Sequence, residues 1–244
     1  MPTQERISRR GIVGLLLLWA AMLLAANLVS IFLHEDGHGI GARIDGIHVS
    51  TGFNKVGAAG KSPQDPDFRT GMPDGFWAGL FGPFTTWILA IGFTLWLLLR
   101  RTVSAGTMAV GAAAVANGLI RAFPMVFFLI SALAGKLHFE DEVHWSLWYA
   151  LKFCHPELAA LDTATLQKTY SALFLSEPVF WAPPLVSLGI SLACLVPAYW
   201  KLNRLWKDKL RPGWVLVFGL TPLAMYFVAM PILNALDKII RIDW

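Results

Sequence analysis

Long stretches without a single charged side chain dominate this sequence and limit what it can become. Gly11 to Leu33, Phe76 to Leu99, Pro178 to Trp200 and Gly213 to Leu236 contain no Asp, Glu, Lys or Arg. Each is long enough to cross the roughly 30 Å hydrocarbon layer as a helix, which takes about 20 residues. A fifth run, Thr102 to Gly135, is interrupted only by Arg121 and Pro124. It is too long for one straight crossing, and Pro124 is expected to kink or end its helix near Phe123 by removing a backbone donor. Charged residues make up 15% of the chain, against about 25% in soluble domains. The expectation is an all-α, polytopic transmembrane bundle with five or six spans, forming one membrane-embedded domain over residues 1–244.

The first run follows Arg6, Arg9 and Arg10, as a signal peptide would. It is longer than the roughly 7 to 15 residues of a signal core and no A-x-A site follows it, so it reads as a retained helix. Lys and Arg collect in the ten N-terminal residues, at Arg100-Arg101 and in Lys201 to Pro212, with 10 in those 24 positions. The connections His34 to Gly75 and Lys136 to Glu177, with the tail from Asp237, hold 9 in 92. The positive-inside rule then makes the first group cytoplasmic and puts the C-terminus outside, in a cell membrane. The net charge of +4 belongs to residues flanking spans and implies no nucleic-acid partner. Cys154 and Cys194 form neither a CxxC pair nor a disulfide framework.

Two connections are more polar. Arg43 to Gly75 is rich in Gly, Pro, Asp and Ser and is expected to be irregular or a short hairpin. Pro156 to Ser176 reads as a short surface helix with Asp162 as its N-cap. In the first half of the long run, Ala105, Ala109, Ala112, Ala113 and Ala116 allow close approach of a neighbouring helix.

The chemistry concentrates where the first apolar run ends, at His34-Glu35-Asp36-Gly37-His38. On a helix, histidines four residues apart share one face, so both imidazoles reach one metal ion while Glu35 faces the hydrolytic water as general base. A polar cluster at the end of such a segment must face protein or a wet cavity rather than lipid. Catalytic zinc takes three protein ligands, and Glu140-Asp141-Glu142 is the only dense acidic cluster after the first helix. Asp141 is the preferred third ligand. Glu140, Glu142, His48, His138 and His144 are alternatives, and helix capping is the competing role for the acids. His155, before Pro156, reads as a surface histidine. Asn117 and Arg121 lie one turn apart before Pro124. Arg121 is either an interfacial residue or a site residue paired with an acid, and either of the two is a candidate to stabilise an oxyanion.

The segment Phe32-Leu33-His34-Glu35-Asp36-Gly37-His38-Gly39-Ile40-Gly41-Ala42-Arg43, with Gly46-Ile47 after it, resembles the HExGH helix of the site-2 protease family of intramembrane zinc metalloproteases. Ala78-Gly79-Leu80-Phe81-Gly82-Pro83-Phe84-Thr85-Thr86 is similar to that family's Gly-Pro helix start. The resemblance covers the chain to about Thr86. It implies that His34 and His38 bind Zn2+, that Glu35 activates water, and that an aspartate on a later segment completes the site. The resulting expectation is a zinc-dependent endopeptidase acting on membrane-protein or membrane-associated peptide substrates in the lipid bilayer. The alternative is a non-proteolytic metal-binding membrane protein or transporter.

Overall fold

A computed structural model of the protein describes residues 9–60, 75–134, 136, 140–207 and 209–244. Among them are seven helices and three short strands. The helices are α1 (Arg9–Ile44), α2 (Phe76–Leu99), α3 (Ala105–Leu133), α4 (Asp141–Tyr149), α5 (Thr163–Ser176), α6 (Ala182–Trp206) and α7 (Pro212–Leu236). The strands are β1 (Val49–Thr51), β2 (Val56–Ala58) and β3 (Ile242–Asp243). Five helices, α1, α2, α3, α6 and α7, are long and apolar enough to span a bilayer. Their outward faces carry large apolar side chains, such as Leu17, Leu95, Ile130, Val196 and Leu216, an arrangement that suits lipid and not water. The chain is a multi-pass membrane protein.

The long run crosses once. α3 continues through Pro124 without a break, so the expected end near Phe123 does not occur. Its 29 residues extend about 43 Å, matching the roughly 40–45 Å of a bilayer with its interfaces. The hydrogen bond lost at Pro124 is tolerated because α3 is the most enclosed span, with 56% of its apolar window buried against 22–33% for the others. Neighbouring helices hold it in shape. Its small residues serve that packing: Ala112, Ala114 and Ala116 are fully buried, and α6 closes on Gly111 and Gly118 through Leu202 and Leu195.

Five crossings separate two ends. At one, Lys201 Nζ donates to the Leu98 carbonyl at 2.8 Å, and Ile12, Leu97, Val103, Leu202, Leu210 and Trp214 share one apolar cluster. The basic connections α2–α3 and α6–α7 therefore sit together with the start of α1. At the other end the expected hairpin forms over Val49 to Ala58, with Val49 opposite Ala58. The rest of that connection, residues 61–74, lies outside the described residues. β3 joins the hairpin from the chain's last residues, giving the antiparallel order β2-β1-β3. Asp237, just past α7, accepts hydrogen bonds from the backbone of Phe53 (2.5 Å) and Asn54 (2.9 Å) and ties down the hairpin turn.

The polar connection after α3 folds at the same end. Asp162 caps α5 by accepting from the Thr165 backbone N–H at 3.1 Å, as its sequence context implies. Val143 of α4 is buried with Phe128, Tyr170, Phe174 and Phe180, and Ser146 Oγ donates to the Phe180 carbonyl at 2.9 Å. This aromatic cluster seats α4 and so fixes where its first residues, Asp141 and Glu142, point.

Candidate metal centre

α1 carries the whole HEDGH segment as helix, which puts His34 and His38 one turn apart, both buried. Asp141 reaches them from the first turn of α4. His34 Nε2 lies 3.0 Å from Asp141 Oδ2, His38 Nε2 lies 3.6 Å from it, and the two imidazole nitrogens are 3.2 Å apart. Ligands about 2.0–2.1 Å from a tetrahedral zinc are separated by about 3.3–3.4 Å, so this triangle has the dimensions of three corners of such a site. Among the described residues, His34, His38 and Asp141 are also the group of His, Cys, Asp and Glu close enough to share an ion.

The surroundings fit that donor set. His38 Nδ1 is 2.5 Å from the Ala78 carbonyl. A carbonyl only accepts, so Nδ1 carries the proton and Nε2 keeps its lone pair for a metal. His34 Nδ1 is buried with no hydrogen-bond partner among the described residues. Glycines let α2 come close enough to do this. A side chain on Gly37 would meet the Phe81 carbonyl at 2.6 Å, and one on Gly82 would overlap the His38 imidazole. The two segments quoted for the family resemblance are thus in contact. Asp141 is held well below the usual carboxylate range. Burial works against its ionisation, but the Arg121 guanidinium beside it and the hydrogen bond with His34 outweigh it.

Glu35 lines a cavity of about 490 Å³ with His34, Arg121, Glu140, Asp141 and His144. Its carboxylate makes no hydrogen bond among the described residues. Asn54, Lys55 and Val56 of the hairpin close one side of this cavity, and Tyr226 and Met230 of α7 another. Asp36 turns the other way, with Thr51 Oγ1 donating to it at 3.4 Å. Burial, and then the neighbouring Asp141 charge, push Glu140 up to about 7.

Of the two roles open to Arg121, the acid-paired one is realised. It is 3% exposed. Its Nε and Nη2 donate to Glu142 at 3.1 and 2.5 Å, and its Nη1 donates to Asp141 Oδ2 at 2.9 Å and lies 3.3 Å from His34 Nε2. The three acids thus divide their work: Asp141 faces the imidazoles, Glu142 faces Arg121, and Glu140 borders the cavity without capping α4 through its side chain. Asn117 is not brought to the cavity; its amide donates to the Ala113 carbonyl one turn back at 2.9 Å. His144 lines the cavity, His48 lies beside Trp244, and His155 pairs with Glu157 and Glu177. His138 lies outside the described residues.

Sequence reasoning missed the partners that come from far along the chain. Ser187 of α6 donates to Glu142 at 2.5 Å, the Ala78 carbonyl holds His38, and Asp237 holds the hairpin. A serine within an apolar span and a backbone carbonyl give no local signal. No protein family, characterised protein or solved structure matches the chain.

Proposed function

We propose that this protein is a membrane-embedded zinc endopeptidase resembling the site-2 protease family, with His34, His38 and Asp141 as the metal ligands and Glu35 as the general base. The observation that carries this reading is the meeting of residues 107 apart: an HExxH pair on a span and an aspartate from a later segment form a triangle of zinc-site dimensions, with the Glu35 carboxylate on the same cavity. A bound zinc supplies Lewis acidity, polarising a carbonyl and lowering the pKa of water towards about 7. Glu35 accepts the proton of the hydrolytic water in the cavity and passes it to the leaving amine. Asp141 and Glu35 supply two negative charges against the metal's two positive ones. Arg121 presents Nη1 to the same cavity and is the donor best placed for a developing oxyanion, a role Asn117 is not positioned to share.

The substrates are membrane proteins or membrane-associated peptides, admitted between the hairpin and α7. The low Lys and Arg content of the site end supports a site facing away from the cytoplasm, with the cell membrane as the proposed location. Glu35 also separates this reading from a purely structural metal site, which has no use for a further carboxylate on the cavity. The test is Glu35→Gln in proteoliposomes with a panel of quenched fluorescent single-span peptides. Turnover falls at least about a hundredfold while zinc content is kept; unchanged turnover refutes the mechanism.

A further inference from the structure

We propose that Glu142 is a positioning residue whose task is to make Arg121 compatible with a divalent metal at His34, His38 and Asp141. This inference rests on the metal reading above. The difficulty it answers is electrostatic: a buried guanidinium has one nitrogen 2.9 Å from Asp141 Oδ2 and 3.3 Å from His34 Nε2, the two atoms a cation would share. Like charges that close repel strongly in a low-dielectric site, and a free arginine would also compete for the ligand atoms.

Glu142 answers both effects. Its two oxygens take Arg121 Nε and Nη2 in a fork, at 3.1 and 2.5 Å, which neutralises the guanidinium and fixes its plane. Nη1 is then aimed at Asp141 and cannot swing further onto the imidazoles. Glu142 is itself held: Ser187 Oγ donates to its Oε1 at 2.5 Å, and Ser146 Oγ donates to its backbone carbonyl at 2.9 Å. Its side chain is 2% exposed. It does not border the cavity that Glu35, His34 and Asp141 share; it lines a separate apolar cavity with Trp145 and Phe180. Its contact with the metal site runs through Arg121. With Asp141 and Glu35 offsetting a divalent ion, the pair Arg121–Glu142 adds no net charge beside it.

The test is zinc affinity, measured with zinc alone by competition against a chromophoric chelator on the full chain in detergent. Glu142→Gln keeps the shape but not the charge and lowers affinity about 10- to 100-fold, the usual range for a residue behind a ligand. The double variant Arg121→Gln, Glu142→Gln removes the stranded cation and binds at least about tenfold more tightly than Glu142→Gln alone. Ser187→Ala, a gentler change that preserves the helix packing, falls between wild type and Glu142→Gln. The proposal is overturned if Glu142→Gln binds zinc like wild type, or if the double variant stays as weak as the single one, which would make Glu142 a ligand or a packing residue. If Glu142→Gln does not fold, unchanged affinity in Ser187→Ala overturns it. Wild type binding no more zinc than His34→Ala rejects the metal reading itself, and this proposal with it, a result distinct from all the others.

Discussion

Gly82→Ala tests whether the approach of α2 sets the geometry of the metal centre. A Cβ at this position would stand 2.5 Å from Cδ2 and Cε1 of His38 and closer still to Nε2. Carbon atoms in contact need about 3.5 Å, so the imidazole must retreat by about 1 Å. Metal-ligand distances tolerate about 0.2 Å, and the retreat also disturbs the 2.5 Å bond between His38 Nδ1 and the Ala78 carbonyl. The expected result is at least a roughly hundredfold loss of zinc affinity, with an overpacking cost of about 1–3 kcal/mol. The assay is chelator competition together with thermal unfolding in detergent. Gly92→Ala is the control on the same helix, since a Cβ there meets nothing within 4 Å. Wild-type zinc affinity in Gly82→Ala, or an equal loss in Gly92→Ala, would refute the reasoning.

Asp141→Ala is expected to lose zinc while Glu140→Ala retains it, as read by elemental analysis; the reverse moves the third ligand to Glu140. Asn117→Ala should leave turnover within a few fold, because its amide is committed to the Ala113 carbonyl, whereas a loss of two orders of magnitude would return it to the active site. Asp237→Ala strands two backbone donors of the hairpin turn at about 1–3 kcal/mol each, so limited proteolysis should cut the Phe53–Lys55 turn faster than in wild type. Cysteine at Asn203 should be labelled from the cytoplasmic side and at Thr165 from the opposite side; the reverse pattern would overturn the orientation.

Much of this was legible because the bilayer imposes a strict rule on composition. Phe76 to Leu99 is a helix with those very ends, and Gly213 to Leu236 is short by one residue, since a span tolerates few charged residues. The HEDGH spacing likewise placed His34 and His38 on one face from local periodicity alone. Of the kink or end expected at Pro124, the end does not occur: the local penalty of a proline is visible in sequence, while the neighbours that support α3 are not. Arg121 stayed open between two roles for the same reason: its identity shows a charge, but only the seating of α4 by Phe128, Tyr170 and Phe180 brings Glu142 within reach. β3 was invisible because two residues at the chain's end pair with a strand nearly two hundred positions earlier. Its place beside β1 follows from the odd number of crossings, which brings the residues after α7 to the hairpin's end of the bundle, not from any pattern in Ile242-Asp243.

The central claim, a zinc ion shared by His34, His38 and Asp141, is tested most directly by zinc content and X-ray absorption of the purified protein beside a His34→Ala, His38→Ala double variant. The account predicts one zinc per wild-type chain with nitrogen and oxygen neighbours at about 2.0–2.1 Å, including two imidazoles, and none in the double variant. Absence of zinc from wild type after incubation with the metal, or equal zinc in both proteins, would contradict it.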